Sequence, residues 1–210
     1  MKRNFILLIF ILFQTHSSNV WSEITFKPLF DKSDKLFANK ILEIMPSLNY
    51  LRIGNPNAEN VIIEFVDYNC GYCKAIHNEI ISLTNDKELD LVVYFYQFPI
   101  LSESSRIYSK ILMAVAEQDT EEAIKLHDKI MNNKGSLNQE KLNNFLKEIN
   151  INQQKFEQDI VSVNIEEKLE VSYYIAKRIG GSGTPLLIIN NFVEQGFLKK
   201  SEMKKLFNYN

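Results

Sequence analysis

The chain has 210 residues, with 24 Lys and Arg against 26 Asp and Glu, 45% hydrophobic and 24% charged residues, 7 Gly, 5 Pro and 2 Cys. At roughly 100 to 200 residues per domain this allows one full domain or two very small ones, and the apolar content excludes disordered and collagen-like classes. Lys and Glu are interspersed along the same segments, which argues against a nucleic-acid partner, since such proteins carry a basic domain or stripe.

Lys2 and Arg3 precede the nine-residue apolar run Phe5–Phe13, and polar residues then lead to Val20-Trp21-Ser22. This is the pattern of a secretory signal peptide over residues 1–22, cleaved near Ser22. As a helix the run reaches about 14 Å, half of a ~30 Å hydrocarbon core, so it spans a membrane only if Gln14 to Val20 extend it as an uncleaved anchor. Cleavage removes Lys2 and Arg3 and leaves 22 basic against 26 acidic residues, a mildly acidic exported chain. Residues 23–52 then form an N-terminal extension. Leu36, Phe37, Ile41, Leu42, Ile44, Met45 and Leu48 fit an amphipathic helix, ended or redirected by Pro46 and Gly54, that packs on its own domain.

Asn60–Val66 is a β-branched and aromatic run that reads as a strand buried on both faces, with Glu64 its one charge. Cys70 and Cys73 follow in Asn69-Cys70-Gly71-Tyr72-Cys73-Lys74. A disulfide across two residues closes too short a loop to remove much denatured-state entropy, so the spacing suits a dithiol that opens and closes. Zinc, the other meaning of this spacing, needs about four ligands, and the mature chain offers only His77 and His127 as histidines. Ile76, Ile80, Ile81 and Leu83 give Lys74–Leu83 a helical period, and Leu89–Tyr96 reads as the next strand.

Strand, helix, strand places Cys70 at a helix start, where unpaired N–H groups and the dipole favour a thiolate. Lowering a thiol pKa from ~8.5 to ~5 takes about 5 kcal/mol, whereas a helix dipole supplies about 0.3 to 2 kcal/mol. Direct hydrogen bonds from the Gly71-Tyr72-Cys73 turn must add the rest. Cys70 is therefore the expected nucleophile and Cys73, one turn further in, the resolving thiol. His77, a turn beyond Cys73, could tune it, although a helix histidine is ordinarily solvated, and His127 sits in a predicted helix as a structural residue.

Three helical stripes fill about 102–179: Ile107, Ile111, Leu112 and Val115; Leu142, Phe145, Leu146 and Ile149; Ile165, Leu169, Tyr173 and Ala176. Asn132–Ser136 reads as a loop and Asn150-Ile151-Asn152 as a break or cap. Thr184-Pro185 then precedes the apolar run Leu186–Ile189, two short strands meet around Asn190-Asn191, and a terminal helix lies near Ser201–Phe207. No glycine-rich phosphate loop occurs.

Phe65–Lys74, Phe98-Pro99-Ile100-Leu101 and Gly183-Thr184-Pro185 with Leu186–Asn190 together resemble the DsbA-like bacterial thiol–disulfide oxidoreductases of the thioredoxin superfamily, over about residues 53–208. The resemblance implies an α/β thioredoxin fold over 53–210, with an all-helical insertion at about 102–179, preceded by a short N-terminal helical segment. It implies a cis Pro185 facing the dithiol, Thr184 pairing its backbone with an extended substrate, and Gly71 and Tyr72 tuning redox poise. It also implies a buried acid at Glu64, whose raised pKa would let it exchange a proton with Cys73. Gly180-Gly181-Ser182 reads as a flexible approach to Thr184-Pro185, and Asn190-Asn191 stands where a glycine-containing hairpin turn is expected.

The function expected is disulfide introduction into secreted or envelope proteins in the periplasm, with no cofactor, no metal and reoxidation by a membrane redox partner. Two alternatives differ in class. Some relatives oligomerise through an N-terminal helical extension and act as isomerases on misfolded proteins, a part residues 23–52 could play. A non-catalytic, chaperone-like binding protein would keep its binding when Cys70 is changed to Ser.

Overall fold

Strand-forming and helix-forming segments alternate along the chain, and the sheet they build decides where the two sulfurs sit. The computed structural model describes residues 36–208; the leader read at 1–22, with its cut near Ser22, and residues 23–35 lie outside the described residues. In chain order come α1 (Phe37–Ile44), a 3-10 turn (Pro46–Leu48), β1 (Arg52–Gly54), β2 (Asn60–Val66), α2 (Gly71–Thr84) and β3 (Leu91–Gln97). Five helices follow: α3 (Glu103–Ala116), α4 (Thr120–Met131), α5 (Gln139–Lys147), α6 (Gln153–Asp159) and α7 (Val163–Arg178). The chain returns through β4 (Leu186–Ile189), β5 (Phe192–Gln195) and α8 (Lys200–Phe207).

The five strands lie in the order β1-β3-β2-β4-β5. Only β2 and β3 are parallel, joined through α2, and the other pairings are antiparallel. Both central strands are buried on two faces, which is why their sequences are continuous apolar runs rather than alternating ones. Side chains still alternate in direction. Ile62, Val66, Val93, Phe95, Leu187 and Ile189 face the main core, built with α2, α3, α4 and α8. Val61, Ile63, Phe65, Val92, Leu186 and Ile188 make the opposite face, and Phe37, Ala38, Ile41 and Leu48 are buried with them.

Small polar side chains set the helix starts in the insertion: Ser102, Asp119, Asn138, Asn152 and Ser162 each accept a backbone N–H of the first turn. Of the break or cap expected at 150–152, Asn152 makes a cap. The stripe read through Ile149 runs past its helix, since α5 stops at Lys147, and Ile149 is buried as a loop residue. β1 carries no periodic signal in its three residues and is held only by antiparallel pairing with β3.

The β4–β5 turn is a knot of hydrogen bonds. Asn190 has φ 51°, the left-handed conformation that asparagine tolerates better than other side-chain-bearing residues. Its Oδ1 accepts from Val61 N at 2.9 Å, its N donates to Val61 O at 2.9 Å and its carbonyl accepts from Ala38 N at 2.9 Å. Asn191 Oδ1 accepts from Phe37 N at 2.9 Å. Asparagine therefore does here what glycine would do for the backbone, and also ties α1 and β2 to the hairpin. Replacing Asn190 by Ala is expected to cost about 2 to 4 kcal/mol, from the left-handed backbone and the orphaned buried Val61 amide. Asn190→Gly should cost less, because it keeps the backbone; urea unfolding of both variants measures this, and equal losses would remove the backbone argument.

Candidate active site: a dithiol at the start of a helix

The loop from β2 to α2 is anchored by one buried carboxylate. Asp67 Oδ1 accepts from Asn69 N at 2.8 Å, and its Oδ2 accepts from Ile100 N and Leu101 N, both at 2.9 Å. The loop that follows β3 is thereby fastened to the loop that precedes α2. Asn69 extends the fastening, its Nδ2 lying 2.9 to 3.0 Å from the hydroxyls of Ser102, Ser104 and Ser105 at the start of α3. Cys70 emerges as the N-cap residue of α2, with its sulfur accepting from Cys73 N at 3.3 Å.

Both cysteines are free thiols. Cys70 is 5% exposed and Cys73 fully buried, so only the first sulfur meets a partner from outside. The Cys70 thiol donates to the Thr184 carbonyl at 3.2 Å, across from α2. Hydrogen bonding from the Cys73 side chain leads the influences that favour the Cys70 thiolate. The Thr184 side chain, not its carbonyl, and the amides of Cys73 and Tyr72 add to it, and together they outweigh burial and bring the thiol down to about 6. Burial, the hydrogen bond to Cys70 and the charge of Glu64 push Cys73 the other way, far above the usual thiol range. One dithiol thus holds an easily ionised sulfur and one that stays protonated.

The peptide bond between Thr184 and Pro185 is cis. The approach to it is fitted rather than loose. Gly180, at φ +93°, ends α7 in the left-handed region. Gly181 donates to Ala176 O at 2.8 Å, and a Cβ there would come within 2.7 Å of that carbonyl and of Leu186. Gln195 Oε1 accepts from Ser182 N at 3.0 Å, and Gly196 N donates to Pro185 O at 2.8 Å. Where flexibility is expected at 180–182, Gly180 supplies a left-handed turn, Gly181 a close approach, and Gln195 of β5 holds the serine between them and Thr184.

Gly71 has open space where a side chain would stand, and Tyr72 is 67% exposed, so the dipeptide between the sulfurs forms part of the outer surface. Glu64 does not escape at a strand edge. It lies on central β2, registered against Phe95 and Leu187, fully buried, with no partner for either oxygen. Burial, then the Cys70 charge, raises its carboxyl to about 8.

His77 corrects the sequence reading. It is buried rather than solvated, with Nε2 3.0 Å from Asp128 Oδ1 of α4. His127 is buried as well, its Nδ1 3.0 Å from the Tyr68 hydroxyl. Among the described residues no group of three or more His, Cys, Asp or Glu side chains is placed to hold a metal ion. Sequence reasoning did not single out Asp67, Asn69 or Gln195. Asp67-Tyr68-Asn69 does carry the side-chain-to-amide turn spacing that could have flagged the first; Gln195 has no local signal.

The family described as thioredoxin matches residues 47–208. No curated protein sequence matches the chain. Among solved structures, the thiol-disulfide exchange protein alpha-DsbA2 from Wolbachia pipientis is 27% identical over 81% of this chain and 94% of its own, with a TM-score of 0.70. The catalytic domain of Proteus mirabilis ScsC is 22% identical over 80% of this chain and 96% of its own, at a TM-score of 0.67. Oxidised BdbD from Bacillus subtilis is 18% identical over 78% and 92%, also at 0.67. The last two show likeness of fold. With most of the chain matched and a Cys-x-x-Cys pair opening the helix between the parallel strands, the chain belongs to the thioredoxin family.

Proposed function

We propose that the chain is an exported oxidase that introduces disulfides into secreted or envelope proteins. The observation that carries the reading is the contrast within one dithiol, Cys70 brought down to about 6 while Cys73 is raised. A reduced form stabilised as a thiolate gives up its electrons less readily, so its disulfide is the stronger oxidant. The leader at 1–22, cut near Ser22, supports export to the periplasm. Among the described residues no helix is long and apolar enough to cross a membrane.

In the reaction a substrate thiolate attacks Cys70 Sγ of the Cys70–Cys73 disulfide. The substrate–Cys70 bond forms, the Cys70–Cys73 bond breaks and its electron pair stays on Cys73. Glu64, protonated at neutral pH, gives Cys73 its proton and becomes a carboxylate. A second substrate thiolate then attacks the substrate's own sulfur in the mixed disulfide and releases Cys70 as thiolate. Two electrons pass from substrate to enzyme without a cofactor, and a membrane redox partner restores the disulfide. The Thr184 backbone, beside cis Pro185 and opposite Cys70, is the place for an extended substrate strand, and Gly71 and Tyr72 set the poise.

Equilibration of residues 23–210 with glutathione, together with refolding of a scrambled disulfide protein, tests the reading. A strongly oxidising pair without unscrambling is the expected result. Efficient unscrambling by the dithiol form would make the protein an isomerase, and substrate binding indifferent to Cys70→Ser would make it a binding protein. Thiolate absorbance should titrate with a midpoint near pH 6. Because Cys70 is depressed from 9.0 to about 6, its contribution to the stability of the dithiol form is complete above pH 9 and is lost as pH falls through 6.

Glu64 has the opposite sign. Raised from 4.5 to about 8, it keeps a proton that the unfolded chain has released, so stability is complete below pH 4.5 and declines as pH rises to 8. Glu64→Gln lacks that decline and should gain on wild type by a few kcal/mol across the window, while losing the pH dependence of mixed-disulfide resolution. Urea unfolding at both ends of the window reads the first effect; parallel stability curves would mean that Glu64 is not held protonated.

A further inference from the structure

Resting on the exchange reading above, one difficulty remains: Cys73 and Glu64 are both fully buried, yet each turnover moves a proton to or from them. A line of polar groups runs inward from the surface behind α2. Asp128 of α4 is half-exposed, its side chain at 52%, and its Oδ1 lies 3.0 Å from His77 Nε2. The His77 and His127 rings meet edge-on with centroids 5.1 Å apart. His127 Nδ1 lies 3.0 Å from the Tyr68 hydroxyl. Phe95, registered against Glu64 on the neighbouring strand, packs its ring 4.2 Å from His127, so the pair lies beneath the face that carries Glu64.

We propose that Asp128, His77, His127 and Tyr68 form the path by which protons pass between solvent and the buried Glu64–Cys73 site. The two nitrogens of the line that lack a partner, His77 Nδ1 and His127 Nε2, are complementary. With Tyr68 donating to His127 Nδ1, His127 carries its hydrogen on Nε2. With His77 Nε2 donating to Asp128, His77 Nδ1 is a free acceptor. In this arrangement every hydrogen points outward. In the opposite one Asp128 donates to His77, His77 Nδ1 to His127 Nε2, His127 Nδ1 to Tyr68 and Tyr68 toward Glu64. The opposite arrangement holds one proton more, taken from solvent by Asp128; its collapse to the first breaks one N–H or O–H bond at each station as the next forms, passes the Tyr68 hydrogen to a Glu64 carboxylate and leaves Asp128 as a carboxylate to be reloaded from solvent. Ring rotation or a bridging water covers the step between the two imidazoles.

The titratable groups that meet the pair are Asp128 of α4 and Tyr68 of the loop, and Tyr68 interacts electrostatically in turn with Tyr50, Glu64 and Cys73. Tyr68 is fully buried in the same core cluster as Cys73, which places it at the inner end of the line. Burial, then His77, holds His127 well below the ordinary histidine range, so it relays as a neutral ring with one hydrogen and one lone pair.

The test follows the Cys73 step in mature wild-type, Tyr68→Phe, Asp128→Asn and Asp128→Glu proteins. The probe is glutathione, read as attack of Cys73 on the Cys70–glutathione mixed disulfide across pH in light and heavy water. Tyr68→Phe and Asp128→Asn should each slow the step by about tenfold or more and enlarge its solvent isotope effect, with Asp128→Glu restoring it and the Cys70 titration unmoved. Wild-type rates and isotope effects in both slowed candidates would overturn the path and send the proton out past Cys70. Should Tyr68→Phe fail to fold, the half-exposed Asp128 pair decides alone. Absence of any exchange between wild type and glutathione would instead overturn the oxidoreductase reading itself.

Discussion

A sulfur atom stands where an oxygen ordinarily caps a helix, and the chemistry of the molecule depends on that exchange. The insertion helices begin on Ser, Asp or Asn, whereas α2 begins on Cys70. A thiol in this position is a poor cap until it ionises, and then it receives the amides that every helix start leaves unpaired. The helix therefore stabilises the charged form of the residue that must attack or be attacked. The same helix carries Cys73 inward by one turn, where water does not reach it and only the neutral form is favoured. A four-residue segment in two environments produces the difference between the sulfurs.

That asymmetry is framed by residues that hold the loops around the dithiol. Asp67 fastens the loops on either side of the site through three backbone amides, and Asn69 fixes the start of α3 to the same loop. On the far side Gln195 and the closely packed Gly181 hold the segment that brings the Thr184 carbonyl to Cys70. Glu64 costs stability at neutral and alkaline pH because it is buried without a partner. Surrounding apolar strands offset that cost.

Much of this was legible in the sequence, for identifiable reasons. A doubly buried parallel strand has to be an unbroken apolar run, so Asn60–Val66 announced itself and made its single charge conspicuous. The Cys70–Cys73 spacing and Thr184-Pro185 are local signals that need no tertiary information. What stayed hidden was set by contacts distant in the chain. Arg52–Gly54 is a strand only because β3 presents an open edge to it. His77 looked solvated because its own helix says nothing of α4, whose Asp128 and His127 cover it. Asn190-Asn191 looked like a missing glycine because the bonds from Val61, Ala38 and Phe37 come from elsewhere in the sequence.

The two sulfurs also determine how oxidising power responds to acidity. Reduction of the disulfide always delivers two electrons, but the number of protons taken up depends on which thiols remain protonated. Below about pH 6 both do, and the potential falls by about 59 mV per pH unit. Above it Cys70 stays a thiolate and Cys73 alone takes a proton, so the slope halves to about 30 mV. The halving holds while Glu64 carries the same proton in both redox forms. Across neutral pH a single proton then accompanies each turnover, and it belongs to the sulfur that solvent cannot reach. The burial that keeps Cys73 protonated is thus also what separates that proton from solvent.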